Sequence, residues 1–368
     1  MQRGKICFFV PFYPLITGGA EYQAKLIALA LQKEGFTIVY VSSGHEHEKC
    51  ETIDGFKVYQ LKVSASLSDK MSLYSTFIKK VGKIIRDEAP NMLYQRMLNT
   101  FTYRFSNLAK NLKIPFVLHI ADNYSIEFGT GTKDLLKRKL FKRILKKNPI
   151  IICQTEYQRS KIRDFKYEPT AVIPNMHPSI CSSVPTKDKK RIVWIGNARP
   201  VKQLEVYLEL AECLSDSDYE FHVIGKLPDN NYGKWLQEKV VANRNIEYHG
   251  IQNNDFVNSF LSRSALLINT SVSEGFSNTF IQAWMCGTPV LALNSDPGGI
   301  IKTNKIGLNC NGDKSMLANS IEEILESPTY GTLCERSLET ANSFFAIEKN
   351  IPKFITILEE AKHDRKKP

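Results

Sequence analysis

The feature that most constrains the fold is a strand–helix alternation that runs through the chain, breaks once and starts again. KICFFV (5–10), TIVYVSS (37–43), NMLYQR (91–96), PFVLHI (115–120) and PIIICQT (149–155) read as buried strands, with helical patterns such as 20–34 and 101–112 between them. FKVYQLK (56–62) alternates apolar and polar residues and reads as an edge strand. After AVIPN (171–175) the pattern stops. Residues 176–190 hold Pro178, Pro185, three serines and the charged run KDKK, the composition of a linker. The alternation then resumes with RIVWIG (191–196), YEFHVIG (219–225), NIEYHG (245–250), ALLINTS (265–271) and PVLAL (289–293). Residues 315–343 read as helices. A last helical pattern, 348–361, has no strand after it and has to pack elsewhere.

An open parallel sheet covered by helices accounts for each half. With 368 residues the chain is too long for one ordinary core. The reading is therefore α/β, two Rossmann-like domains in tandem, with ligands expected outside the carboxyl ends of the strands and a cleft between the domains. No apolar run reaches the ~18–20 residues of a membrane span. The opening MQRGKICFFVPFYP is short, broken by prolines and reads as a first strand rather than a signal peptide, so a cytoplasmic location is expected. The eight cysteines are scattered, with no C-x-x-C and no Cys/His cluster; reduced thiols, no disulfides, no metal site and no cofactor are expected.

The strand ends carry the candidate chemistry. GNARPVKQ (196–203) follows one strand directly and places Arg199 and Lys202 ahead of a helix, which suits a phosphate or diphosphate; an ordinary solvated loop would look the same. Glu274 and Gly275 follow ALLINTS in the same way, and Ser277 or Asn278 can cap the next helix. The free N–H groups of its first turn, with the helix dipole, attract an anion. A carboxylate beside an anion site makes sense if it grips hydroxyls of an attached sugar; otherwise Glu274 only supports the helix dipole. Gly18 and Gly19 in ITGGAEYQ let a ligand approach a helix start, although a lone pair of glycines is weak and no G-x-G-x-x-G or phosphate-loop motif occurs. His119 in LHIADNYS lies near a strand end with Asp122 just beyond, either a core histidine or one facing the cleft. Asp216-Ser217-Asp218 matches a D-x-D metal signature but reads as a solvated turn.

Formal net charge is +11, and the excess is local. Residues 133–147, KDLLKRKLFKRILKK, carry eight basic residues and one acid. As a helix this places Leu136, Leu140, Phe141, Ile144 and Leu145 on one half and Arg138, Lys139, Lys142, Arg143 and Lys146 on the other, with Lys137 at the apolar border. Two roles fit: an ordinary surface helix, or docking on anionic lipid. No aromatic residues interleave as stacking platforms, so nucleic acid is not expected.

Together these segments resemble the retaining GT-B glycosyltransferases of family 4. FFVPFYPLITGGAEYQ resembles the family's N-terminal glycine loop, VLHIAD its cleft histidine region, and VIPNMHPS the Pro-Asn-Gly element. IVWIGNARPVKQLEVYLELA resembles the phosphate-binding G-R-x(n)-K-G segment. INTSVSEGFSNTFIQAWMCGTPVLAL resembles the E-G-F-x(5)-E-A…G-x-P-V signature. The resemblance implies an acceptor domain, 1–183, with a C-terminal helix (347–368) crossing back to it, and a nucleotide-sugar domain, 184–346. It implies that Arg199, Lys202 and the backbone of Gly275, Phe276, Ser277 and Asn278 hold the donor diphosphate. Glu274 would hold sugar hydroxyls and His119 would line the reaction centre. Gly225, Lys226 and Ile251 would hold the base, and Gln282 the ribose. Gly18 and Gly19 would admit phosphate or acceptor. The implied function is metal-independent transfer of a sugar, with retention, to a glycan or lipid-linked acceptor at a membrane, in surface polysaccharide or glycolipid assembly. Three departures stand out: Asn197 where the family has arginine, no glycine after the asparagine of VIPNMH, and Gln282 where the family has a second glutamate. The last keeps open a non-catalytic subunit that binds a glycan or a partner transferase; a nucleotide-sugar epimerase is a further alternative.

Overall fold

A computed structural model of the chain describes residues 3–63 and 74–363. The end of the basic tail, residues 364–368, lies outside the described residues. Two compact units result. The first comprises residues 1–176 and 347–368, the second 177–346. The division falls at Met176/His177 rather than at 183/184. His177 already belongs to the second unit, where its N–H donates to the carbonyl of Phe345 at 2.9 Å.

The first unit is an eight-stranded sheet. Its strands are β1 (Gly4–Phe9), β2 (Phe36–Ser43), β3 (Lys49–Ile53), β4 (Phe56–Leu61), β5 (Met92–Arg96), β6 (Phe116–His119), β7 (Ile150–Cys153) and β8 (Ala171–Val172). They lie in the order β3-β4-β2-β1-β5-β6-β7-β8. All neighbours are parallel except β3 and β4. FKVYQLK is therefore not the edge: β3, mostly polar, pairs outside it as a short antiparallel strand.

A parallel sheet is covered on both faces, and successive side chains divide between them. Ile6 and Phe8 enter one core, Cys7 and Phe9 the other. The C-terminal helix Ile347–His363 completes the first core. Ile351, Phe354, Ile355 and Leu358 are buried in it, which answers where a helix without a following strand packs. At about 1.5–3 kcal/mol per buried large aliphatic or aromatic side chain, those four residues bind the helix firmly to this unit.

The second unit has six strands, β9 (Asp188–Ile195), β10 (Glu220–Ile224), β11 (Ile246–Tyr248), β12 (Ser264–Asn269), β13 (Val290–Ala292) and β14 (Gly307–Asn309). Their order is β11-β10-β9-β12-β13-β14, parallel throughout. β9 begins inside the charged run read as linker. Lys187 explains why that run is ordered: its Nζ donates to the carbonyls of Ser262 and Cys286 and to Thr288 Oγ1 at 2.7–2.9 Å. Ile192 and Trp194 face one core and Val193 the other.

In each sheet the chain winds outward on one side of its first strand and then resumes on the other. The reversal lies between β1 and β5 in the first unit and between β9 and β12 in the second. At such a reversal the two adjoining loops part at the carboxyl ends and leave a crevice. All eight cysteines are free, and no helix among the described residues is long and apolar enough to cross a membrane.

Candidate active site

The second unit's reversal brings together the two loops singled out from the sequence. After β9, Gly196 donates its N–H to Ile224 and Ala198 donates to Lys226, so the loop leans on the end of β10. Arg199 is exposed and makes no ion pair among the described residues. A single 3₁₀ turn, Pro200–Lys202, then leads to the helix Leu204–Cys213. After β12, Thr270 accepts the Trp194 indole N–H at 3.0 Å and donates to the carbonyl of Lys202 at 2.8 Å. The Val272 N–H closes the seam on the carbonyl of Val201 at 2.9 Å.

This stitching fixes Glu274. Its Oε1 accepts three hydrogen bonds, from Lys202 Nζ, from Ser271 Oγ at 2.7 Å and from Asn269 Nδ2 at 3.3 Å. Its Oε2 accepts none among the described residues. The two charged side chains retain only 19% (Lys202) and 11% (Glu274) of their exposure, so their charges are partly desolvated and strongly felt. The three bonds to Oε1 orient the group.

The helix Asn278–Met285 starts four residues further on. Ser277 is its N-cap by position, but its side chain makes no capping bond; Oγ pairs with Thr279 Oγ1 at 2.8 Å instead. The positive end of this helix is therefore not neutralised by the residue that could have capped it. Gln282 sits one turn inside, buried, with its amide N–H donating to Asn258 Oδ1 at 2.9 Å and Asn254 Oδ1 at 3.3 Å. A glutamate here would keep both contacts only if the two asparagine amides turned their N–H groups toward it. Glutamine fits the neighbours as they are placed.

Gly225, Lys226 and Ile251 lie just past β10 and β11. Gly225 has φ +140°, and a Cβ there would stand 1.8 Å from the Gly196 carbonyl oxygen; only glycine lets the two loops approach this closely. Lys226 and Ile251 are exposed beside it. A cavity of about 500 Å³ lined by Glu205, Trp235 and Arg244 lies on the helical side of this unit and touches none of these strand ends.

In the first unit, Gly18 precedes the helix Gly19–Lys33 in extended backbone, and a Cβ on it would strike Glu21 Oε2. Glu21 lines a cavity of about 60 Å³ with Arg96, Met97 and Asn99, at the ends of β1 and β5. Burial pushes the Glu21 carboxyl up, while its own backbone N–H and Arg96 oppose the rise. Asp122, beyond β6, accepts the Ser125 N–H at 2.7 Å and is likewise pushed up by burial.

His119 takes the core position that was one of its two readings. It is the last residue of β6 and is 0% exposed. Nδ1 meets the Tyr94 hydroxyl and an Arg96 N–H, each at 3.0 Å, and the Phe354 ring lies 6.1 Å away. Burial, with Arg96 second, pushes its pKa well below the usual histidine value, so the ring is neutral. The C-terminal helix, through Phe354, packs beside the ring. His119 orients Arg96, whose other nitrogen donates to Asn175 Oδ1 at 2.5 Å.

Arg96 and Glu21 are the polar residues missed in the sequence. The available signal was an arginine closing the buried run NMLYQR, where an apolar residue is the norm. Asp218, of the D-x-D match, pairs with Lys190 at 3.0 Å in a turn, as a solvated turn should.

The comparisons with known proteins agree with this geometry. Residues 189–327 match the family model described as glycosyl transferases group 1, and residues 5–155 match that of glycosyl transferase 4-like proteins. An uncharacterised glycosyltransferase of Methanocaldococcus jannaschii is 25% identical over 285 residues, 76% of each chain. Among solved structures, the sucrose-phosphate synthase of Thermosynechococcus elongatus superposes with a TM-score of 0.78 at 16% identity, covering 97% of this chain and 99% of that one. Anabaena HepE in complex with UDP-glucose gives 0.73 at 13%, covering 97% and 100%. Two Rossmann-like parallel sheets, the paired strand-end loops of the second and the two matched models together place the chain in the group 1 glycosyltransferases of GT-B fold.

Proposed function

We propose that the chain transfers a sugar from a nucleotide-diphosphate donor, with retention and without a catalytic metal, to a lipid-linked or membrane-associated acceptor in surface polysaccharide or glycolipid assembly. The observation that carries the donor reading is the Lys202–Glu274 pair at the second unit's strand reversal, with one carboxylate oxygen left over and an uncapped helix start beside it. Lys202, Arg199 and the N–H groups of 275–279 take the diphosphate. Glu274 Oε2 takes a sugar hydroxyl. As the glycosidic bond breaks, positive charge grows at the sugar and negative charge on the leaving diphosphate. The cations bind that state more strongly than the intact donor, which is how they lower the barrier. Gly225, Lys226 and Ile251 receive the base.

The relation of Gln282 to a nucleotide ribose rests on family resemblance; an amide oxygen accepts a hydroxyl proton without charge assistance, so the effect falls on donor affinity. The acceptor falls to the first unit, where Gly18, Gly19, Glu21 and Arg96 gather at the β1/β5 reversal.

The helix Thr132–Leu145 supports the membrane part. Phe141, Ile144 and Leu145 anchor it in the first unit, while Leu135 and Leu136 are 52% and 59% exposed among Lys137, Arg138, Lys139, Lys142, Arg143 and Lys146. Tyr124, 80% exposed, lies 5.6 Å below the Lys137 ammonium. Exposed leucines and an aromatic ring inside a basic patch suit the headgroup boundary of an anionic membrane, at about 1 kcal/mol per basic residue near the surface.

The test is nucleotide release from UDP-, GDP- and dTDP-sugars without acceptor, in the presence of a chelator. Slow release from one donor class is expected, and Glu274→Ala should abolish it. No binding and no release with any donor would overturn the reading in favour of a non-catalytic subunit.

A further inference from the structure

A second cluster of ligating side chains lies away from the Lys202–Glu274 pair, on the β10/β11 side of the second sheet. His222 on β10 stands opposite Glu247 on β11 in the parallel register. His249, two residues after Glu247, projects to the same face. Phe260, from the helix Asn254–Arg263, covers both rings at 4.9 Å. His222 Nδ1 is 3.1 Å from His249 Nε2 and 3.4 Å from Glu247 Oε2, and the three ligand atoms all lie within 4.8 Å of one another. Bonds of about 2.0–2.2 Å in a tetrahedral zinc site hold neighbouring ligand atoms roughly 3.3 Å apart.

The remaining atoms are also arranged as a metal site needs. His222 is 4% exposed, and its Nε2 has no hydrogen-bond partner although buried. Glu220 Oε2 stands 3.7 Å from that nitrogen. A carboxylate hydrogen-bonded to the outer nitrogen of a ligating histidine fixes the tautomer and strengthens the ligand; at 3.7 Å Glu220 stands near that position without making the bond. Arg191 is the nearby cation: its guanidinium lies over the Phe260 ring at 4.9 Å and 3.7 Å from Asp188.

We infer that His222, Glu247 and His249 form a binding site for one divalent ion of the zinc type, with water as the fourth ligand. The ion would clamp the short outer strand β11 to β10. It is separate from the Lys202–Glu274 pair, and no step of the transfer proposed above uses it.

The experiment uses the full chain, free of any histidine tag and stripped with a chelator. Zn²⁺ is titrated against a competing chromophoric chelator, and melting curves are recorded with and without the ion. One equivalent should bind and raise the melting temperature. His249→Ala and Glu247→Gln, both at partly open positions, should fold and lose at least tenfold in Zn²⁺ affinity. Absence of Zn²⁺ binding by the wild-type chain would overturn the inference. So would wild-type affinity in either variant.

Discussion

Lys202→Met removes one charge while keeping the length of the side chain. In the structure the ammonium is held between Glu274 and a loop whose backbone is pinned to Thr270, so it cannot swing away from a bound diphosphate at little cost. A preorganised group aimed at developing charge is worth about 2.7–4 kcal/mol when removed, or about 10²–10³ in turnover. Folding loses less. Glu274 keeps the hydrogen bonds from Ser271 and Asn269 after the lysine is gone. The 3–5 kcal/mol typical of orphaning a fully buried charge therefore shrinks to about 1–2 kcal/mol here. For a domain of this size that corresponds to a fall in melting temperature of about 2–8 °C. The assay is the initial rate of nucleotide release or transfer, with melting curves recorded in parallel. Glu274→Gln and the double variant complete a cycle, and the two single losses should not add, because both residues act on one donor. A Lys202→Met enzyme within threefold of wild type, or strictly additive losses, would refute the reasoning.

Other outcomes follow from the same structure. Gly225→Ala should abolish donor binding and lower the melting temperature of the second unit, because the new Cβ meets the Gly196 carbonyl at 1.8 Å; calorimetry and donor titration check both. Glu88 gives an acid-stability signature. Burial works to raise its carboxyl, but hydrogen bonds from Lys57, Tyr59 and Lys5 outweigh burial and hold it at about 2. Its contribution is complete above the unfolded value near 4.3 and is lost as pH falls toward about 2, at most about 2 kcal/mol once the exposure of its lysine partners is discounted. Glu88→Gln should flatten denaturation curves in that window. His119 acts at milder pH: its folded pKa is lowered, so stability falls as pH drops below about 6.5, where only the unfolded chain takes up the proton. Neutralising Lys137, Arg138, Lys139, Lys142, Arg143 and Lys146 together should release the chain from anionic liposomes in flotation; unchanged flotation would make Thr132–Leu145 an ordinary surface helix.

Where one residue run decides an element, the sequence was legible. The buried strands were found nearly to their ends because both faces of a parallel sheet are covered, which leaves continuous apolar runs such as IVWI and ALLIN. β3 and β14 were missed for the opposite reason: KCETI and GLN carry too little apolar content, and their neighbours supply the order. The donor-side loops were legible because each follows its strand directly. Their mutual stitching through Thr270, Val272 and Trp194 was not, since it joins residues about seventy positions apart. His119 shows the limit most clearly. Its strand was read correctly, but the cover over it comes from Phe354 at the far end of the chain. The His222–Glu247–His249 cluster was hidden in the same way: each ligand lay inside a strand pattern, and only sheet register brings them together. Leu136, placed by helical periodicity on the apolar half, is exposed because burial in this helix is confined to Phe141, Ile144 and Leu145.

The most direct test of the central claim is a thermal-shift titration of the wild-type chain and Glu274→Ala against a panel of nucleotide-sugars. A ligand present at a hundred times its dissociation constant stabilises a fold by about 2.7 kcal/mol. One nucleotide-sugar should therefore raise the wild-type melting temperature by several degrees, rising with the logarithm of its concentration, while its parent nucleotide shifts wild type and Glu274→Ala alike. Loss of the extra, sugar-dependent shift in Glu274→Ala is the predicted result. An equal sugar-dependent shift in both proteins, or no shift with any donor, would contradict the account.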